Sequence, residues 1–172
     1  MSSVQWSENF AIEQLEKRHK RKDFSSGVEG VDDWLKKSAR QAQSKQLSIT
    51  RVLLKKPDTI AGYYTLAMGQ VSFDELPHQI ARKLPKTLVP IITLAWLGIE
   101  KNYQGKSFGE RLLAQALSDC HQTGQIMPFV AVILDCININ AKGFYQRYDF
   151  DELPGHPMKL MLPWQLLDSM MA

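Results

Sequence analysis

The chain has 172 residues, 44% of them hydrophobic, a formal net charge of +3 and two cysteines. That length suits one ordinary domain with a real core, and two cysteines exclude a disulfide framework and a zinc ribbon. No apolar run is long enough to span a bilayer, and Met1 to Glu8 lack the basic and apolar stretches of a secretion signal, so a cytoplasmic protein with no membrane association is expected.

Phe10 to Lys22 reads as a short helix with Phe10, Ile12 and Leu15 as its apolar content; it ends in the basic run Lys17-Arg18-His19-Lys20-Arg21-Lys22. Phe24 to Gly27 is turn-like. Val31, Trp34, Leu35, Ala39 and Ala42 recur at helical spacing and predict a second helix to about Gln43. Ser48 to Leu54 and Ile60 to Val71 are strand-like, separated by Lys56-Pro57-Asp58-Thr59, which predicts a hairpin with Gly62 at a bend.

Leu76 to Leu84 predicts a short helix with Pro77 in its first turn, where proline is tolerated. Pro85 to Pro90 reads as a linker. Ile91 to Ile99 is nearly all apolar, as a strand buried on both faces must be. Phe108 to Cys120 predicts an amphipathic helix with Leu112, Leu113, Ala116, Leu117 and Cys120 on one stripe. Phe129 to Asp135 predicts a strand, Ala141 to Tyr148 a short helix, and Met158 to Leu162 a strand, with a last segment from Pro163. This order describes a mixed α/β or α+β single domain over residues 1–172.

Cys120 and Cys136 read as small core residues, and His121 points to a different helix face from Cys120, so no metal is expected. Lys36, Lys37, Arg40, Lys45, Arg51, Lys55 and Lys56 follow the basic run, giving a basic N-terminal half. Such a half is either a phosphate-binding surface for nucleic acid or a solvated face, and composition leaves both open.

The segment Tyr103-Gln104-Gly105-Lys106-Ser107-Phe108-Gly109-Glu110 lies between the strand ending at Ile99 and the helix beginning near Phe108. Backbone N–H groups in a glycine-containing loop at a helix N-terminus favour a phosphorylated ligand. Gly105-Lys106-Ser107 invites a nucleotide-triphosphatase reading, but Glu100 stands where that loop needs its first glycine. An ordinary connecting loop is the remaining alternative.

Gln104 to Gly109 matches a pyrophosphate loop written Q/R-x-x-G-x-G/A at all but one position. Asn138, Ala141, Phe144, Tyr145 and Phe150 match N-x-x-A-x-x-F-Y-x-x-x-x-F in register. With both in order, the chain resembles the GCN5-related N-acetyltransferase (GNAT) superfamily. Phe24, Gly27, Val31, Asp32, Trp34 and Leu35, with the strand Ala61-Gly62-Tyr63-Tyr64-Thr65-Leu66-Ala67, further resemble the GNAT toxins of toxin–antitoxin pairs. The resemblance runs from about Phe24 to Leu162. Three departures stand out. Ser107 takes the place of the loop's middle glycine, where a positive φ would cost about 1–2 kcal/mol. Trp96 takes the place of an arginine. Tyr148-Asp149-Phe150 replaces x-G-F.

The resemblance implies a central mixed, mostly antiparallel twisted sheet, splayed at an acetyl-CoA site and flanked by helices. It implies acetyl-CoA as co-substrate, held by amides of Gln104, Gly105, Lys106, Ser107, Phe108, Gly109 and Glu110 and by the strand end Leu97, Gly98 and Ile99. Tyr145 is implied as general acid, since a phenol is protonated at neutral pH; without the Asn138 and Ala141 context it reads as an aromatic core residue beside Phe144. Asn138 is expected either to reach the pantetheine arm or to cap a helix; apart from the resemblance, Glu100 is the only obvious acid near the site and a minor candidate for a base acting through water. The toxin subgroup implies acetylation of aminoacyl-tRNA, an antitoxin partner and a homodimer. Two other readings stay open: an enzyme for a small amine or a protein N-terminus, and a weakly catalytic acetyl-CoA-binding module marked by Ser107 and Trp96.

Overall fold

Period-2 alternation decides the N-terminal architecture. In the computed structural model, which describes residues 4–172, Phe10–Gln14 is strand β1, not the start of a helix. It pairs antiparallel with β2 (Ile49–Lys55), Phe10 opposite Lys55 and Gln14 opposite Arg51. Phe10 and Ile12 stand two apart, which is strand spacing. Lysine, arginine and glutamate after them suggest a helix by propensity, but they equally suit the charged edge of a sheet. The basic run becomes a turn in which His19 is buried and accepts a hydrogen bond at Nδ1 from the Glu16 amide (3.0 Å).

Two compact units follow from the chain's packing: Met1–Ala67 with Leu94–Asp119, and Met68–Thr93 with Cys120–Ala172. In the first, α1 (Glu29–Asp33) continues through a π-helical turn at Trp34–Ser38 into α2 (Ala39–Ser44). The hairpin partner of β2 is β3 (Thr59–Ser72), with a register shift at Leu53/Leu54 opposite Gly62. The core of this unit gathers Leu15, Phe24, Val31, Leu35, Val52, Leu54 and Tyr63. Gly98 lies under α1: a Cβ there would fall 2.4 Å from Val31 Cγ1, so only glycine lets α1 approach this closely.

The second unit holds α3 (His78–Ala81), with Pro77 as its N-cap, and the beginning of β4 (Leu88–Ile99). β4 pairs in parallel with β5 (Ala131–Asp135) at Ile92↔Val132 and Thr93↔Ile133. In chain order between those strands comes α4 (Phe108–Ile126), which runs on from the expected end at Cys120 to Ile126. Next come α5 (Ile139–Gln146), β6 (Asp151–Leu153), β7 (His156–Pro163) and α6 (Trp164–Met171). The core here is Leu76, Val89, Ile91, Ala131, Ile133, Leu153 and Met161.

The seven strands follow the order β1-β2-β3-β4-β5-β7-β6 in one mixed sheet, with β4–β5 parallel and the β1–β2, β2–β3, β5–β7 and β6–β7 pairs antiparallel. β6 is absent from the sequence expectation: three residues beside a turn are too few to show a period. Leu88 to Pro90, expected as linker, already belong to β4. Cys120 and Cys136 are both buried, and neither is in a disulfide. No helix among the described residues is long and apolar enough to cross a membrane.

Candidate functional site

In the first unit β4 ends at Leu97-Gly98-Ile99 and the chain turns at once. Glu100 caps a single 3-10 turn, Lys101–Tyr103, by accepting from the Asn102 amide at 2.7 Å. The loop then passes through two left-handed residues, Gly105 (φ 73) and Ser107 (φ 64), before α4 begins at Phe108. Left-handed residues alternating with right-handed ones aim successive N–H groups into one concavity, and the first amides of a helix lack intrahelical acceptors. A Cβ at Gly105 would meet nothing within 4 Å, so the approach to the loop is open. Lys106 is exposed. These features fit a diphosphate.

The Gln104 amide is already given to Lys101 O at 3.3 Å, so the open amides begin at Gly105 rather than Gln104. The Gln104 side chain instead braces the loop. Its Nε2 donates to Ser26 O at 2.7 Å and to Ile99 O at 2.8 Å. Ser26 is itself fixed: its amide and its hydroxyl both donate to Asp32 Oδ1, at 2.8 and 2.7 Å. Lys101 donates its amide to Ser25 O at 2.8 Å. Hence the segment Phe24 to Leu35 clamps the loop: Phe24, Val31 and Leu35 anchor it in the core, and Gly27 (φ 93) makes the turn.

Several residues that sequence reasoning passed over hold the start of α4. The Phe108 ring stacks on Trp6 (6.3 Å, 2°) and meets Phe10 (5.1 Å) and Tyr103 (5.8 Å). The Arg111 guanidinium lies over Trp6 at 4.3 Å and donates to Gln5 O. The signal available was Trp6 and Phe10, two aromatics in an otherwise polar N-terminal stretch.

In the second unit Asn138 takes the capping role. Its Oδ1 accepts from the Ala141 amide at 2.8 Å at the start of α5, which leaves its side-chain NH2 uncommitted by that bond. Tyr145 on α5 is 9% exposed, with its ring edge-on to Phe144 (5.2 Å) and Phe150 (5.7 Å). Burial, and secondarily Cys136, raises its pKa well above the usual phenol value, so the proton is held firmly. Asp149, where the family pattern has glycine, adopts φ 69. Both glycine departures, Ser107 and Asp149, therefore keep the left-handed backbone and differ only in side chain.

No group of three or more metal-ligating side chains occurs among the described residues. The basic run is partly neutralised: Arg18 pairs with Glu13 and Glu16, and Lys20 approaches Asp58 at 3.5 Å. Lys17 and Lys22 are exposed.

Comparison with known proteins finds relatives in sequence and in fold. The family model "Acetyltransferase (GNAT) family" matches residues 11–150. A tRNA-acetylating toxin of Mycobacterium tuberculosis is 32% identical over 139 residues, covering 81% of this chain and 82% of that one. Two solved structures share the fold. AtaT complexed with acetyl-methionyl-tRNAfMet gives a TM-score of 0.86 at 22% identity, covering 94% of this chain and 98% of that one. A mutant AtaT toxin bound to the C-terminus of the antitoxin AtaR and acetyl-CoA gives 0.80 at 18% identity, covering the same shares, 94% and 98%.

Proposed function

The chain belongs to the acetyltransferase (GNAT) family, and on that footing we propose that it transfers the acetyl group of acetyl-CoA to the α-amine of aminoacyl-tRNA, acting as a toxin on translation. The observation that carries the reading is the loop of two left-handed residues, Gly105 and Ser107, feeding the N-terminus of the 19-residue helix α4. The acceptor class rests on the Mycobacterium tuberculosis relative, a tRNA-acetylating toxin.

When bound, acetyl-CoA supplies the acetyl thioester that an acceptor amine attacks. The amides from Gly105 to Glu110 hold its diphosphate, with Lys106 adding a cation. The strand end Leu97-Gly98-Ile99 orients the pantetheine arm, and a backbone N–H at Leu97 or Ile99 polarises the carbonyl. The Asn138 NH2 group supports the same arm. Tyr145 Oη holds the proton required by the departing sulfur. With its pKa raised by burial, the phenol stays protonated throughout the working range, as the role requires.

Glu100 is tied to the Asn102 amide, which leaves the site without an evident strong base. An α-amine has a pKa of about 7.7–8.0 and is already partly neutral at pH 7, whereas a lysine amine is not. This favours aminoacyl acceptors over lysine side chains. The exposed Lys17 and Lys22 are suited to backbone phosphates. A small antitoxin is the expected protein partner, as for the AtaT structure with AtaR, and the active form is expected to be a homodimer.

The test is incubation of charged tRNA with labelled acetyl-CoA. Label on the aminoacyl ester, falling steeply as salt rises, is the expected result. No label on any aminoacyl-tRNA overturns the proposal.

A further inference from the structure

Trp34 and Trp96 stack with ring centroids 5.7 Å apart and planes 15° from parallel. Their role rests on the reading above, in which the strand end Leu97–Ile99 holds the acyl donor. Trp96 stands on β4 two residues before Gly98. The two therefore share one face of the sheet, about 7 Å apart along the strand. That face is the one on which a Cβ at Gly98 would meet Val31, Tyr63 and Phe24. Trp34 opens the π-helical turn Trp34–Ser38, a rare geometry found often at functional sites.

The pair is built to be rigid. Trp34 Nε1 donates to Thr65 Oγ1 at 2.9 Å, and that oxygen lies 2.7 Å from Thr50 Oγ1 in a fully buried hydroxyl pair. With its N–H spent there, the Trp34 ring holds Trp96 from behind. Both indoles remain partly exposed, whereas Leu35, Val52 and Tyr63 beneath them are fully covered. Gly30 passes close to the Trp96 ring without a side chain; a Cβ there would stand in van der Waals contact with it at 3.7 Å. What the stack presents is a flat apolar surface beside the strand end.

We propose that the Trp34–Trp96 stack selects the acceptor: it receives the apolar or aromatic side chain of the aminoacyl group and disfavours acidic and basic ones. In an aminoacyl ester the side chain is rooted on the carbon that bears the reacting amine. An amine placed at the strand end therefore brings that side chain within reach of Trp96. Burying an apolar side chain on the indoles, against the cost of desolvating a charge, corresponds to roughly a 10- to 100-fold preference.

The experiment measures kcat/KM of the full chain on tRNAs charged with phenylalanine, methionine, aspartate or lysine. Wild type, Trp96→Phe, Trp96→Leu and Trp96→Arg are compared, with calorimetry for acetyl-CoA. Wild type is expected to favour phenylalanyl and methionyl esters over charged ones by about 10- to 100-fold. Trp96→Phe keeps that ranking, Trp96→Leu narrows the aromatic advantage, and Trp96→Arg shifts preference toward aspartate, all with unchanged acetyl-CoA affinity. A second arm needs no donor: amide-linked phenylalanyl-tRNA should quench indole fluorescence in wild type and much less in Trp96→Leu. Equal quenching by uncharged tRNA would assign the stack to a nucleobase and overturn the proposal. So would an unmoved ranking in Trp96→Leu and Trp96→Arg, which would leave the stack a core element and the parent function intact. A wild type that acetylates no aminoacyl-tRNA sinks both.

Discussion

The Gln104 side chain joins two carbonyls that are far apart in sequence, Ser26 O at 2.7 Å and Ile99 O at 2.8 Å, and so holds the loop before α4 against the turn before α1. Gln104→Ala removes both bonds and leaves the Ser26 and Ile99 carbonyls to water. The residue is exposed, so the stability loss is small, about 1 kcal/mol. The larger effect falls on binding. Acetyl-CoA affinity measured by calorimetry should drop by about tenfold, because the loop must then be ordered at the ligand's expense. An unchanged affinity would show that the brace does not preorganise the loop.

Ser107 sits at φ 64 in the left-handed region, where a Cβ is disfavoured by about 1–2 kcal/mol. Ser107→Gly relieves this, less the extra unfolded-state entropy of glycine. A net gain of about 1 kcal/mol is expected, visible as a rise in Tm of about 2–4 °C. Ser107→Val should move in the opposite direction. Asp149→Gly, at φ 69, should gain less, since aspartate tolerates this region better than most residues.

Tyr145→Phe removes one oxygen from a nearly buried ring and keeps its packing on Phe144 and Phe150. Acetylation should fall by about 100-fold or more, with acetyl-CoA binding retained. The pH dependence follows from the direction of the shift. In the proposed role the protonated phenol is the working form, and burial raises its pKa above the ordinary 10. Activity lost by deprotonating Tyr145 therefore begins only above pH 10. A limb near neutrality that vanishes in Tyr145→Phe would contradict this.

Tyr63, Tyr64 and Tyr145 are all buried phenols with raised pKa, chiefly through desolvation. In the unfolded chain each titrates near pH 10. Their contribution to stability is complete below that value and disappears as pH rises beyond it, because the unfolded state then releases protons the folded state retains. Denaturant midpoints should be insensitive to these groups up to about pH 10 and fall beyond it. Tyr63→Phe removes the phenol's bond to Val31 O (2.6 Å), while that carbonyl keeps the Trp34 amide, and should cost about 0.5–1.5 kcal/mol at neutral pH.

Elements with a strong period were legible from residues alone. The buried run Ile91 to Ile99, the stripe from Leu112 to Cys120, and the hairpin around Lys56 to Thr59 each carry their own signal, because one buried face imposes a repeat. The loop from Gly105 to Glu110 and the Asn138–Tyr145 register were legible for a related reason: backbone conformation and helix capping restrict residue choice over a few positions. The left-handed φ at Ser107 was anticipated conditionally, through the glycine that the family pattern places there.

Strand β1 was not legible, because a sheet edge tolerates charged residues and Phe10 and Ile12 alone are too few to outweigh helix propensity. Nor was β6, with three residues. The Ser26–Asp32–Gln104–Ile99 linkage, the ring cluster at Trp6, Phe10, Tyr103 and Phe108, and the Trp34–Trp96 stack all join residues tens of positions apart. Local sequence encodes periods, turns and caps, since these act through neighbours along the chain. Which distant side chains meet is decided only when burial brings the elements together, and in this protein that step sets the brace of the loop and the surface beside it.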